Sequence, residues 1–231
     1  MYEFHRIRPP GPDRDPFLQQ QVLLNGVVHP IIFDVGANKG DITRLYRSRF
    51  PNSVIYAFEP FPPSYAQLVE STREDSSVFA QPVALGKETG TIVMQVNTSS
   101  ATNSLLETEQ VAEAYWGHGQ VQTISRVEVE VTTLDDFCRK HTVEHIDILK
   151  LDTQGTEIQI LRGARRMFSE GRVTLVYTEM ISAPTYKGQG KLHELLQLLD
   201  DHNFSLVSFY NYCHRADGWL LQTDAIFVQR P

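Results

Sequence analysis

Apolar residues along this chain follow two alternating periods. "PIIFDVG", residues 30–36, is a short β-branched run ending in a glycine turn, the pattern of a strand buried on both faces. "GDITRLYRSRF" follows, with Ile42, Leu45 and Tyr46 on one helical face. The pair then repeats. "SVIYAFE" predicts a second strand closed by "PFPPS", and "SYAQLVEST" a helix with Tyr65, Leu68 and Val69 in phase. "SVFAQPVAL", residues 77–85, reads as the third strand. After it the rhythm breaks: "GTIVMQV" and "SRVEVEVTTL" alternate with period two and predict added antiparallel strands. Residues 97–120 between them are polar and long enough to form a lid-like insertion.

The first rhythm resumes with the strand "HIDILKLD" and a helix over 156–168, where Ile158, Leu161, Ala164 and Phe168 share a face. "RVTLVYTEM" is the next strand, and "KLHELLQLLDD" a helix striped by Leu192, Leu195, Leu196 and Leu199. "FSLVSFYNY" and "LLQTDAIFVQR", joined closely at "RADG", predict a terminal antiparallel hairpin. At the other end, "DPFLQQQVLL" predicts a short helix behind a charged, Pro-rich arm. The sum is an α/β, doubly wound, mostly parallel sheet. Residues 1–24 are arm and helix, and residues 25–231 form a single domain.

A length of 231 residues suits that organisation, and 41% hydrophobic residues can fill its core. Net charge is 21 − 28 = −7, with no basic stripe, which argues against nucleic acid as a partner. "RGARR", residues 162–166, reads as the solvent face of a helix. Cys138 and Cys213 form no CxxC, and no apolar run approaches the ~20 residues needed to span a bilayer. The expected setting is reducing and cytoplasmic, away from membranes. Oligomeric state is left open.

In a doubly wound sheet, ligands bind at the carboxyl ends of the strands, near the first turn. There Gly36 and Gly40 bracket Ala37, Asn38 and Lys39, and glycine permits tight turning and close approach to a ligand. Asp34, at the strand's end, can face a cationic group. Glu59 ends the second strand, 19 residues beyond Gly40, where an acid can accept both ribose hydroxyls of an adenosine. The GANKG spacing lacks the middle glycine that admits a pyrophosphate, and Asp34 is a poor neighbour for phosphates. S-adenosylmethionine, with an ammonium and a sulfonium, therefore suits the turn better than NAD. An NAD-dependent oxidoreductase is the alternative enzyme reading.

Three blocks are more specific: "IIFDVGANKGDITRLYRSRFPNSVIYAFEPFPPSYAQL", "PVALGKETGTI" and "TTLDDFCRKHTVEHIDILKLDTQGTEIQILRGA". They resemble the signature blocks of the FkbM-type S-adenosylmethionine-dependent methyltransferases, over about residues 15 to 230 and most diagnostically from Thr132 to Ala164. The resemblance implies a Rossmann-like methyltransferase fold. It also implies O-methylation of a hydroxyl on a small-molecule acceptor, a sugar, polyketide or related natural-product scaffold. By position, Asp34, Gly36 and Gly40, with Ala37 and Asn38 between the glycines, would form the donor loop, and Glu59 would bind the ribose. Val83 and Ala84 would lie beside the adenine, and Asp152 and Gly155 near the methionine end. Asn103 and Ser104 match a polar spot of the lid, for acceptor contact or donor closure. One departure stands out: Gln154 occupies a position where the family commonly has glutamate. It leaves room for a third reading, a methyltransferase fold kept as a binding module without activity.

Methyl transfer from a sulfonium is an in-line displacement, and a protonated aliphatic hydroxyl is a poor nucleophile, so a base or a metal should help. Strand direction places His29, His141, His145 and His202 on the amino edge. His193 falls on a polar helix face and His5 in the arm. That leaves His118 in the lid and His214 after the sixth strand of the alternation. Asp152 and Glu179 end two strands over the same crevice, where they can bind the donor's ammonium, act as base, or hold a divalent cation with a lid residue. Two acids do not make a metal site, and none is assigned. Tyr115, in the lid, and Tyr186, in "APTYKGQG", are the aromatic candidates for contact with the acceptor.

Overall fold

The structure, a computed structural model, describes residues 15–117 and 119–230. The N-terminal arm and His118 fall outside the described residues. Asp15 caps the first helix, α1 (Pro16–Leu23), by accepting the N–H groups of Phe17 and Leu18 at 2.9 and 3.1 Å. Strand and helix then alternate through β1 (Ile31–Val35), α2 (Asp41–Arg49), β2 (Val54–Phe58), α3 (Pro62–Thr72) and β3 (Val78–Gln81).

The run read as one third strand is two. β3 ends at Gln81, Pro82 has no N–H to give a ladder, and β4 (Ala84–Gly86) starts a separate sheet. That sheet has the order β4-β6-β5, with β5 (Gly90–Asn97) antiparallel and β4 parallel to β6 (Thr123–Thr133). The period-two segments therefore pair antiparallel as their alternation predicts. They do so beside the main sheet rather than within it. Between them the insertion holds a short 3-10 turn, Ser100–Thr102, and α4 (Ala112–Trp116).

The chain continues with α5 (Leu134–Lys140), β7 (Ile146–Leu151), α6 (Glu157–Arg162), α7 (Arg165–Ser169), β8 (Val173–Ile181), α8 (Leu192–Asp201), β9 (Phe204–His214) and β10 (Leu220–Gln229). The main sheet runs β3-β2-β1-β7-β8-β10-β9, parallel from β3 to β8, with β10 antiparallel to both of its neighbours. It is an α/β sheet of the doubly wound, Rossmann-like kind. Among the described residues, no helix is long and apolar enough to cross a membrane.

Both faces of the sheet are covered, so its central strands are apolar on both. All six residues of β7 are buried. Phe33, Val35, Phe58, Leu149 and Leu151 face α5 to α8, whereas Ile32, Ile55 and Ile148 pack with Phe17 and Tyr46 under α1 and α2. Two helix faces differ from their sequence phase. In α2 the buried residues are Thr43 and Tyr46, with Ile42 and Leu45 half-buried, because Thr43 is drawn inward by a buried carboxylate. In α3 they are Ser64, Leu68 and Thr72, and Val69 is exposed.

The helix expected over 156–168 breaks at Gly163, although Ile158, Leu161, Ala164 and Phe168 all remain buried. A Cβ at Gly163 would lie 2.1 Å from the carbonyl oxygen of Gly86, so β4 rests directly on this backbone. Gly163→Ala should destabilise the fold by about 2–3 kcal/mol, since the clash is with main chain that cannot swing aside. Gly90→Ala, where a Cβ meets nothing within 4 Å, should stay within about 0.5 kcal/mol of wild type. Thermal unfolding of the two variants checks both values.

Candidate active site

At the end of β1 the chain turns at Gly36, with φ 78°. A Cβ there would stand 1.9 Å from the carbonyl oxygen of Asp152, so the neighbouring strand end demands the glycine before any ligand does. The N–H groups of Gly36 and Ala37 both donate to the Phe58 carbonyl, at 3.1 and 3.0 Å. The N–H of Asn38 donates to Glu59 Oε2 at 2.8 Å. These three donors are spent on the end of β2 rather than aimed outward in the manner of a phosphate nest.

Glu59 is only 6% exposed. Its second oxygen, Oε1, accepts the N–H of Phe61 at 2.9 Å. Burial pushes its carboxyl up to about 7, against the pull of the Phe61 and Asn38 amides. Each oxygen keeps acceptor capacity toward the cavity.

Asp34 requires a correction. It is fully buried and does not face a ligand cation: Thr43 Oγ1 donates to its Oδ2 at 2.6 Å, and Lys150 Nζ lies 2.9 Å from its Oδ1. Lys150 Nζ also donates to the Gly36 carbonyl at 3.1 Å. Burial alone would lower the lysine's pKa, but Asp34 and then Asp152 outweigh it and hold the ammonium charged. The cation that Asp34 serves is therefore Lys150, and the discrimination against phosphate rests on the spent amides instead.

A cavity of about 110 Å³ opens at this edge. Gly36, Asn38 and Glu59 line one side, Val83 and Ala84 another, and Asn103, Ser104 and Asp152 close it. Three residues of the expected donor set stand behind the wall. Ala37 packs on Ala57 and Leu68, Gly40 sits against Leu68 and Ser71, and Gly155 lies against Tyr186 and Gln189. They shape the turns and do not line the cavity.

Gln154 organises the acids. Its Nε2 donates to Asp152 Oδ1 at 3.1 Å and to Glu179 Oε2 at 2.8 Å, while the Tyr186 hydroxyl stands 2.9 Å from its Oε1. The side chain of Asp152 is 42% exposed on the cavity wall. Glu179 is buried off that wall, and burial, then the charges of Asp152 and Glu157, push its carboxyl well above the usual range. A glutamate at 154 would add a further acid here. The amide instead donates to two.

The remaining expected residues separate from the cavity. Tyr186 is 2% exposed, with its hydroxyl also 3.0 Å from the Thr102 carbonyl, so it is a pillar under the insertion rather than a wall for an acceptor. Tyr115 lies off the wall, its ring 5.3 Å from the Arg215 guanidinium. Its neighbour Trp116 is a packing anchor, donating Nε1 to Thr185 Oγ1 at 2.7 Å. His214 is on the carboxyl edge as strand direction predicts. It is exposed on the outermost strand, stacked with Tyr212 at 6.1 Å between ring centroids, and does not reach the cavity. Met94 of β5 and Ser100 of the 3-10 turn also line the wall, and neither strand alternation nor loop composition marks them for it.

A family model described as "Methyltransferase FkbM domain" matches residues 34–206. The curated protein "2-O-methyltransferase NoeI" of Sinorhizobium fredii (strain NBRC 101917 / NGR234) is 27% identical over 187 residues, 78% of this chain and 74% of its own. The protein "31-O-demethyl-FK506 methyltransferase FkbM" of Streptomyces tacrolimicus is 24% identical over 217 residues, 84% of this chain and 81% of its own. Among solved structures, TrmK of M. capricolum in complex with S-adenosyl-homocysteine gives a TM-score of 0.49 at 9% identity, covering 98% of this chain and 70% of that one.

The pairing of Asp34 with Lys150 can be tested directly. Lys150→Met leaves a fully buried carboxylate without its cation and should cost about 3–5 kcal/mol in urea unfolding. Adding Asp34→Asn should recover much of that loss.

Proposed function

Because the chain belongs to the FkbM methyltransferase family, we propose that it transfers the methyl group of S-adenosylmethionine to a hydroxyl of a small-molecule acceptor, a sugar, polyketide or related natural-product scaffold. The names of two relatives, a 2-O-methyltransferase and a 31-O-demethyl-FK506 methyltransferase, support oxygen as the acceptor atom. The family sets aside the oxidoreductase alternative. The observation that carries the donor's placement is Glu59, a buried carboxylate at the end of β2 with both oxygens fixed by backbone amides beside an open cavity.

The cavity fits such a donor. Glu59 offers the paired acceptors a ribose needs, and Val83 and Ala84 give an apolar wall for a base. The donor supplies an electrophilic methyl on a sulfonium; the O–CH3 bond forms as the S–CH3 bond breaks, leaving S-adenosylhomocysteine. The chain's part is alignment and proton removal. Asp152 is the general base: it is a half-exposed carboxylate on the cavity wall, held by Gln154 at one oxygen and with Lys150 Nζ 3.7 Å from the other. Glu179 supports it from behind through the same amide. His214 takes no part, lying on the outermost strand.

Asp152→Asn should lower kcat about 10²- to 10⁴-fold with a folded, donor-binding protein. Turnover to S-adenosylhomocysteine with a panel of glycosylated acceptors measures it, and also separates an enzyme from a silent binding module. Titration calorimetry tests the donor site itself. S-adenosylhomocysteine should bind wild type, and Glu59→Ala should weaken it at least about tenfold. No binding by folded wild type, or intact binding by the variant, would sink the assignment. Because burial raises Glu59 to about 7, the ionised form that accepts ribose hydroxyls prevails only above that pH. Affinity should therefore fall as pH drops from about 8 to 6, and Glu59→Gln should flatten the profile.

A further inference from the structure

The cavity wall carries a buried hydrogen-bond donor that the protein itself does not use. Asn103 is 7% exposed, and its Oδ1 accepts the N–H of Asn97 at 2.8 Å. A backbone N–H can be met only by the amide oxygen, which fixes the orientation of the group and turns Nδ2 away from Asn97. Nδ2 has no hydrogen-bond partner in the protein. The backbone beneath it is held firmly: Gln95 and Ser104 exchange both of their N–H to carbonyl bonds, at 2.8 and 3.2 Å. Asn103 is therefore a preset donor on a fixed strap, in a residue that lines the cavity.

Several neighbouring polar groups on the wall are engaged. Ser104 Oγ donates to the Gln154 carbonyl at 2.7 Å, and Gln154 Nε2 is shared by Asp152 and Glu179. Thr153 Oγ1 donates to Glu157 at 3.0 Å, and Thr156 Oγ1 to the Thr153 carbonyl at 3.2 Å. Lys150 is committed to Asp34 and the Gly36 carbonyl, with its Nζ 3.7 Å from Asp152 Oδ2. The formal charges on the wall, Glu59 and Asp152, are both negative.

Such a wall receives hydroxyls and an ammonium readily, and it repels an anion. S-adenosylmethionine carries one anion, the carboxylate of its amino-acid end. A carboxylate offers acceptors only, and a hydrogen bond to a charged group is the strongest that a desolvated amide can make. We propose that Asn103 Nδ2 donates to the donor's carboxylate, making Asn103 a donor-specificity residue. This rests on the methyl-donor reading of the cavity.

The test pairs S-adenosylhomocysteine with its decarboxylated analogue, which keeps the amine and loses only the carboxylate, in titration calorimetry. Asn103→Asp preserves the shape and an oxygen for the Asn97 N–H, but sets a carboxylate against a carboxylate. It should weaken S-adenosylhomocysteine about ten- to a hundredfold and leave the decarboxylated analogue within about twofold. Asn103→Ala should show the same preference with a smaller loss. Equal losses for the two ligands, or none for either, would overturn the assignment while leaving the donor site standing. Failure of both ligands to bind folded wild type would overturn the donor reading, and the assignment with it.

Discussion

The ammonium of Lys150 sits where two strands, a turn and an acidic wall converge. Lys150 is the direct register partner of Asp34 across the parallel pair β1 and β7, and its Nζ reaches both that carboxylate and the carbonyl of Gly36. A buried charge of this kind is tolerable only when its partner and its remaining hydrogen bonds are all present. That requirement locks the first turn onto the end of β7. Gly36 can then lie against the Asp152 backbone, and the loop and the acid end up on one cavity. Packing alone would bring β1 and β7 together, but the ion pair settles where the turn leaves them.

The cavity edge is crowded with acids, and two devices make it stable. Backbone amides hold Glu59, and a single carboxamide, Gln154, answers Asp152 and Glu179 together. Gln154 thus has a physical function in this chain. An amide can donate where a carboxylate can only accept. The result is an unevenly charged site, with a half-exposed Asp152 in front and an acid of raised pKa behind.

The insertion after β5 belongs to the site's architecture. Ser104 bonds Gln95 and the Gln154 carbonyl, Thr102 receives the Tyr186 hydroxyl, and Glu109 and Lys187 tie the strap to the chain after β8 through backbone bonds with Thr185 and Glu107. A polar composition that reads as a free lid is here a stitched one. Its side chains spend their hydrogen bonds on distant backbone, which composition does not record.

Much of the fold was legible in the sequence because periodicity is local. The alternating runs marked most strands and helices, although the third run divides into β3 and β4 and the 156–168 helix into α6 and α7, and the terminal hairpin followed from its short turn. The resemblance of the three blocks pointed to the family, and Glu59 could be singled out because strand order and ligand position are linked by topology. What remained hidden depends on contacts between residues far apart in the chain. Asp34 lies next to the turn in sequence, yet its partner is 116 residues away at Lys150. Tyr186 reads as an aromatic contact for the acceptor and is a buried pillar, and His214 has the right strand direction but lies on the outermost strand of the sheet. The sequence by itself determined most of the elements, their order and the end of the sheet where the cavity opens. Only the tertiary structure decided which polar groups face the cavity and which face one another, since a hydrogen bond made inside the protein is no longer available to anything outside it.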